Sequence, residues 1–176
     1  MKRKPALSIR ETAVFALLGT VMYVAKVIME FMPNVHPIAM LTVAYTLVYR
    51  SKALIPLYLF VFLCGLFNGF HMWWLPYLYI WLPLWGAAML LPGKMSAKAA
   101  VPACCAVCAV HGMLFGTLYA PAQALMYGLS FKATVTWIIA GLPWDAVHAA
   151  GNLCIGLLTV PIANALKAAD RLVYPK

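Results

Sequence analysis

Acidic residues are nearly missing from this sequence. Glu11, Glu30, Asp145 and Asp170 are the only four among 176 residues, beside thirteen Lys and Arg. No run of carboxylates therefore exists for a proton relay, and only Glu30, Asp145 and His148 leave an opening for ion coupling. The Gly-x-x-x-x-Gly-Lys-Ser/Thr phosphate loop is absent too, so this chain does not hydrolyse ATP by that chemistry. Neither a nucleophile motif nor a His-Glu-x-x-His pair occurs, which leaves an intramembrane hydrolase only His111, His148 and Asp145 as raw material. Internal repeats and low-complexity segments are lacking, which argues against the inverted-repeat secondary transporters. The first apolar stretch, residues 12–32, has no small-residue cleavage site before a polar start and is too long for a signal-peptide core. No Cys or His completes a zinc-like ligand set around Cys104 and Cys108, so the five cysteines are expected to be small packing residues. No metal or cofactor is expected.

What is present is apolar. The chain is 65% hydrophobic and 10% charged, against roughly 45–50% and 25% in soluble domains. Six membrane spans of about 20 residues would leave about 50 residues for loops. That predicts a single all-α integral membrane domain over residues 1–176, with no soluble catalytic or regulatory domain. The basic residues fall on alternate gaps between the apolar runs. Lys2, Arg3, Lys4 and Arg10 precede the first run, and Arg50 and Lys52 follow the second. Lys94 and Lys98 follow the fourth, and Lys167, Arg171 and Lys176 follow the last. The other gaps hold only Lys132, and Lys26 lies within a run. This is the positive-inside pattern for six helices with both termini in the cytoplasm of a cell-membrane protein. The net charge of +9 is thus assigned to lipid headgroups and topology rather than to nucleic acid.

The punctuation predicts helices over residues 8–31, 36–49, 52–68, 74–91, 97–119 and 143–168. Ser8 with Glu11 forms a capping-box signal for the first. The second is too short for an ordinary span, so it is tilted, thinly spanning or sheltered by neighbours. Pro33-Asn34, Gly69, Pro92-Gly93 and Ala120-Pro121 are read as stops. Residues 121–141 form the longest outer connection, with an interfacial helix near 134–139, and Gly141-Leu142-Pro143 is read as a break before the last helix.

Candidate binding residues follow from the expense of polar groups in hydrocarbon. Asp145, His148 and Asn152 share a face of the last helix and can bond the edge of a polar ligand, or cap and cross-link helices. Glu30 either faces an outer cavity or pairs with Lys26 four residues before it. Trp74, Tyr77, Trp81 and Trp85 recur at helical spacing and suit either an interfacial belt or the stacking wall of a cavity for a flat heteroaromatic ligand. Asn68 and His71 flank that stripe at the outer loop. An aromatic pocket with few charges favours a flat, largely neutral heterocycle. Thr12, Ala13, Ala16 and Thr20 form a small-residue face on the first helix, suited to packing or to docking another membrane subunit.

The segment from Trp137 to Asn152, with its Gly-x-Pro-x-Asp-x-x-His-x-x-x-Asn run, resembles the last-helix region of the substrate-binding S component of energy-coupling factor (ECF) vitamin transporters. The Pro33-Asn34-Val35-His36 turn and the Lys52-Ala53-Leu54-Ile55-Pro56 helix start are similar to members of the same group. The resemblance implies six helices, no catalysis, and a pocket near the outer surface. It implies that a vitamin-like small molecule is captured there and handed over through a transmembrane coupling subunit and two cytoplasmic ATPases, with toppling in the membrane. The family's Ala-x-x-x-Ala contact motif is kept only at Ala16, between Thr12 and Thr20. A stand-alone carrier, a membrane enzyme and a purely structural membrane subunit are the rival readings.

Overall fold

The capping box forms as the sequence predicts: Glu11 N–H donates to Ser8 Oγ at 3.1 Å, and Ser8 N–H to Glu11 Oε2 at 2.9 Å. It starts α1 (Ile9–Ile28). The computed structural model describes residues 7–32, 34–93 and 95–173. Lys2, Arg3, Lys4, Pro33, Lys94 and Lys176, which carry part of the expected charge and stop signals, lie outside the described residues. The described residues form α-helices and two 3₁₀ segments, with no strand among them.

After α1 come α2 (Ile38–Tyr49) and α3 (Leu54–Asn68), joined by a 3₁₀ turn at Arg50–Ala53. Arg50 has φ 54°, a left-handed conformation unusual for a residue with a Cβ. Its guanidinium donates to the Met89 carbonyl, and its own carbonyl accepts from the Trp85 indole at 3.4 Å. The chain reverses here. Tyr45 and Tyr49 descend along α1 past Leu18 and Phe15. Lys52 then pairs with Glu11, Leu59 touches Gly19, and Asn68 reaches Tyr23. α3 is therefore parallel to α1, and α2 antiparallel to both.

α2 is buried from Ile38 to Thr46 without a polar face. A helix apolar all round belongs inside other helices, and α1, α4, α5, α7 and α8 all touch it. Sheltering by neighbours, one of the readings open for this short helix, is what the packing shows. At about 1.5 Å per residue, neither α2 nor α3 alone matches a hydrocarbon thickness of about 30 Å.

The single helix expected over 74–91 is divided. A 3₁₀ segment (Met72–Leu78) containing Pro76 leads through a turn to α4 (Leu82–Leu90), which has Pro83 in its first turn. Each proline removes a donor from the α-helical ladder. The aromatic stripe is consequently not one helix face.

α5 (Ala97–Met113) and α6 (Phe115–Tyr127) follow. Pro121 does not stop the chain: it lies inside α6, which ends instead at Gly128 with φ 62°. The break comes earlier, at Leu114. Gly141-Leu142-Pro143 is no break either, because α7 (Phe131–Gly156) runs through it for 26 residues. The expected long outer connection over 121–141 is thus a helical hairpin with a turn at residues 128–130.

Close packing explains the continuity. α7 lies antiparallel along α5 and α6, with Gly156 against Cys105, Gly112 against Ala149, and Gly116 against Asp145. A Cβ at Gly112 would sit 2.9 Å from Ala149 Cα. This long seam, buried turn after turn, outweighs the local penalty of Pro143. The last helix instead breaks at Leu157-Leu158, where α8 (Thr159–Val173) bends by 47°.

Six antiparallel segments result among the described residues. The 3₁₀ segment with α4 runs against α3 (Trp74 beside Val61, Met89 beside Arg50) and against α5–α6 (Ile80 beside His111, Trp73 beside Tyr119). Three stretches are long and apolar enough to cross a membrane: Ile9–Ile28, Ile38–Asn68 and Lys98–Tyr127. A fourth qualifies if α7 and α8 form one bent span. The second of these contains the reversal at Arg50, so its two halves face opposite ways. Large apolar side chains such as Leu17, Phe67, Leu90, Leu125 and Phe131 are exposed on the outside of the bundle, as membrane association requires.

Candidate functional site

Four polar rings meet in the middle of this bundle. Trp81, at the N-terminal edge of α4, is 2% exposed and stands at their centre. His111 of α5 stacks on it with ring centroids 5.5 Å apart. His36, from the connection between α1 and α2, lies 6.3 Å from Trp81 and 5.0 Å from His148 of α7. Phe115 packs on His148 at 4.7 Å and on His111 at 5.9 Å, while Phe60 and Tyr77 close the other side of Trp81 at 5.9 and 5.6 Å.

The polar edges of these rings are not all used. His111 Nε2 donates to the Ile80 carbonyl at 3.0 Å; a carbonyl only accepts, so Nε2 carries the proton and Nδ1 of the neutral ring is an acceptor. His111 Nδ1, His36 Nδ1, His148 Nε2 and Trp81 Nε1 are shielded from solvent and have no hydrogen-bond partner among the described residues. Unmet polar groups at such burial are uncommon and call for an explanation; Thr42, Arg50 and Thr159 also carry one each, but singly and away from the rings. On its connection, His36 is held neutral: burial, with the nearby Lys26 charge adding to it, pushes its imidazole down to about 4.

The stripe Asp145, His148, Asn152 does share one buried face of α7, as its spacing predicts. Its members do different things. Asp145 accepts from Gly116 N–H at 3.0 and 3.1 Å, supplying from a neighbouring helix the cap that Leu114 cannot give to the first turn of α6. Asn152 donates to the Cys108 carbonyl at 3.2 Å and cross-links α7 to α5. Only His148 enters the ring cluster.

The aromatic residues separate likewise. Tyr77 and Trp81 are in the cluster. The Trp74 indole donates to the Val61 carbonyl at 2.7 Å, and Trp85 lies at the Arg50 reversal. Glu30 is exposed and paired with Lys26 at 2.5 Å, Asn68 is exposed beside the Tyr23 hydroxyl, and His71 is exposed. These placements put Trp74, Trp85, Glu30, Asn68 and His71 outside the cluster. His36 and Phe115 were not singled out as site residues from the sequence, and His111 entered only as raw material for an enzyme. No local signal separates them: all four histidines, His71 between Phe70 and Met72 included, have apolar residues or glycine on both sides.

Thr12, Ala13, Ala16 and Thr20 are all exposed along α1. The two hydroxyls bond back to the Ser8 and Ala16 carbonyls at 3.0 and 2.9 Å, so the stripe presents no free donor. Cys64, Cys104, Cys105 and Cys108 are buried, whereas Cys154, also expected to be a packing residue, is exposed; no group of three metal-ligating side chains is assembled among the described residues. No protein-family model matches the chain, and no curated protein or solved structure matches it either.

Proposed function

We propose that this chain is the substrate-capture subunit of an ECF-type importer, crossing the cell membrane six times with both ends in the cytoplasm. It takes up a vitamin-like small molecule from the outside and passes it on by associating with a transmembrane coupling subunit and two ATPases. The observation that carries this reading is the buried cluster of His36, Trp81, His111 and His148, with four polar atoms lacking partners. A bundle that only packs has no use for four such groups together. Two further features support it. Six antiparallel segments bring Arg10, Arg50, Lys52, Lys98, Lys167 and Arg171 towards one end, and His111 lies about 20 Å along α5 from there. The exposed small-residue face of α1 admits close approach of another helix.

The test is reconstitution. Vesicles holding this chain with a coupling subunit and ATPases should accumulate substrate only with ATP. Accumulation by this chain alone would instead identify a stand-alone carrier, and conversion of the bound molecule would identify an enzyme. Ala16→Trp on the exposed face should abolish copurification with the coupling subunit while sparing small-molecule binding; normal copurification would remove the docking role of α1.

A further inference from the structure

The geometry points to a specific ligand chemistry: Trp81 and His111 form a donor–acceptor pair that reads an amide-like edge, N–H beside C=O, on a neutral one- or two-ring heterocycle. This rests on the capture reading above and adds which chemical edge is captured. The indole Nε1–H can only donate, so it asks for an acceptor. His111 is committed by its bond to Ile80 to accept at Nδ1, so it asks for a donor. The two rings stack 5.5 Å apart with planes 29° from parallel, so both demands arise within one buried ring contact. Adjacent acceptor and donor on one rigid edge is the pattern of a lactam or primary amide. His36 Nδ1 and His148 Nε2 are both unpaired beside this edge. As neutral imidazoles each offers a donor or an acceptor by choice of tautomer, so they adapt to further groups on the same molecule.

Neutrality follows from the surroundings. No Asp, Glu, Lys or Arg belongs to the ring cluster, and the nearby Lys26 is already paired with Glu30, so an ionised ligand would lose its hydration without gaining a free counter-charge. Beside the cluster, between α4 and α5–α6, lies an apolar groove of about 320 Å³ whose lining includes Leu84, Val107, Val110, Leu114 and Leu118. His111 is the one polar side chain lining it. The groove lies at the small end of the volumes that hold small-molecule ligands, roughly 300–1,000 Å³. It takes the apolar body of such a molecule while the polar edge faces the rings. His36 sits on a connection rather than a helix, so it can withdraw for entry without unwinding an element.

The experiment uses the full chain in mild detergent, equilibrated with an equimolar mixture of nicotinamide, hypoxanthine and pterin together with the anions nicotinate, orotate and pterin-6-carboxylate, and separately with a yeast-extract filtrate. Retained molecules are identified by mass spectrometry after gel filtration, and affinities are measured by tryptophan fluorescence. At least one neutral amide or lactam should be retained, from the mixture or the filtrate. Its affinity should fall about tenfold or more in Trp81→Phe and in His111→Gln. Gln keeps a donor for the Ile80 carbonyl but not the acceptor at the Nδ1 position, so His111→Gln tests the edge rather than the fold. Trp85→Phe, at the Arg50 reversal, should bind as the parent does. Preferential retention of anions, or affinities unchanged in both variants, would overturn the assigned edge and leave the capture reading standing. Retention of nothing from either source would overturn both.

Discussion

Asp145 shows how one side chain can look like a ligand contact and be spent on structure. Both its oxygens accept from Gly116 N–H, at the point where α5 gives way to α6. Asp145→Ala leaves that N–H without its cap, and a lost cap or buried acceptor costs about 1–3 kcal/mol. A lower melting temperature in detergent, with substrate affinity preserved, is the expected result. His36 makes a second claim at this scale. Its folded pKa lies near 4, below the ordinary 6.5. The unfolded chain therefore binds the proton more readily between those values, so the stability that depends on neutral His36 is present above about pH 6.5 and is lost as pH falls towards 4. Melting temperature should decline across that window, and decline less in His36→Leu. An equal slope in both proteins would remove His36 as the source.

Helix boundaries divide into those written locally and those set by partners. Ser8 with Glu11, and Gly69 with φ 89°, act within a few residues, and both were legible in the sequence. Pro121 and Pro143 carry an equally strong local signal, yet both lie inside helices. The seam between α7 and the α5–α6 pair outweighs them, and it depends on residues tens of positions apart. Leu114, the actual break, has no local signature. The cluster was legible to the same extent. His148 and Trp81 were found by periodicity, whereas His36 joins them only through the route of a connection whose shape no spacing records. The seam gives a matched pair of substitutions. Gly112→Val forces a side chain to within 2.9 Å of the Ala149 backbone, and overpacking of this kind costs about 1–3 kcal/mol. Gly86→Ala, in α4, meets nothing within 4 Å and should be neutral or stabilising by up to about 1 kcal/mol through helix propensity. Thermal unfolding of the two variants checks both signs.

For the whole molecule, one of the six antiparallel segments, α2, is enclosed by helices of the others, with α1, α4, α5, α7 and α8 all touching it. α2 touches neither solvent nor lipid along Ile38–Thr46, and among the helices flanking it is α8, which begins only at Thr159. A ribosome therefore releases α2 long before one of its walls has been made. Until α8 has been translated, this apolar cylinder waits with one wall missing, and the bundle locks only afterwards. Chains truncated just ahead of Thr159 should accordingly be the ones that cellular quality control removes fastest.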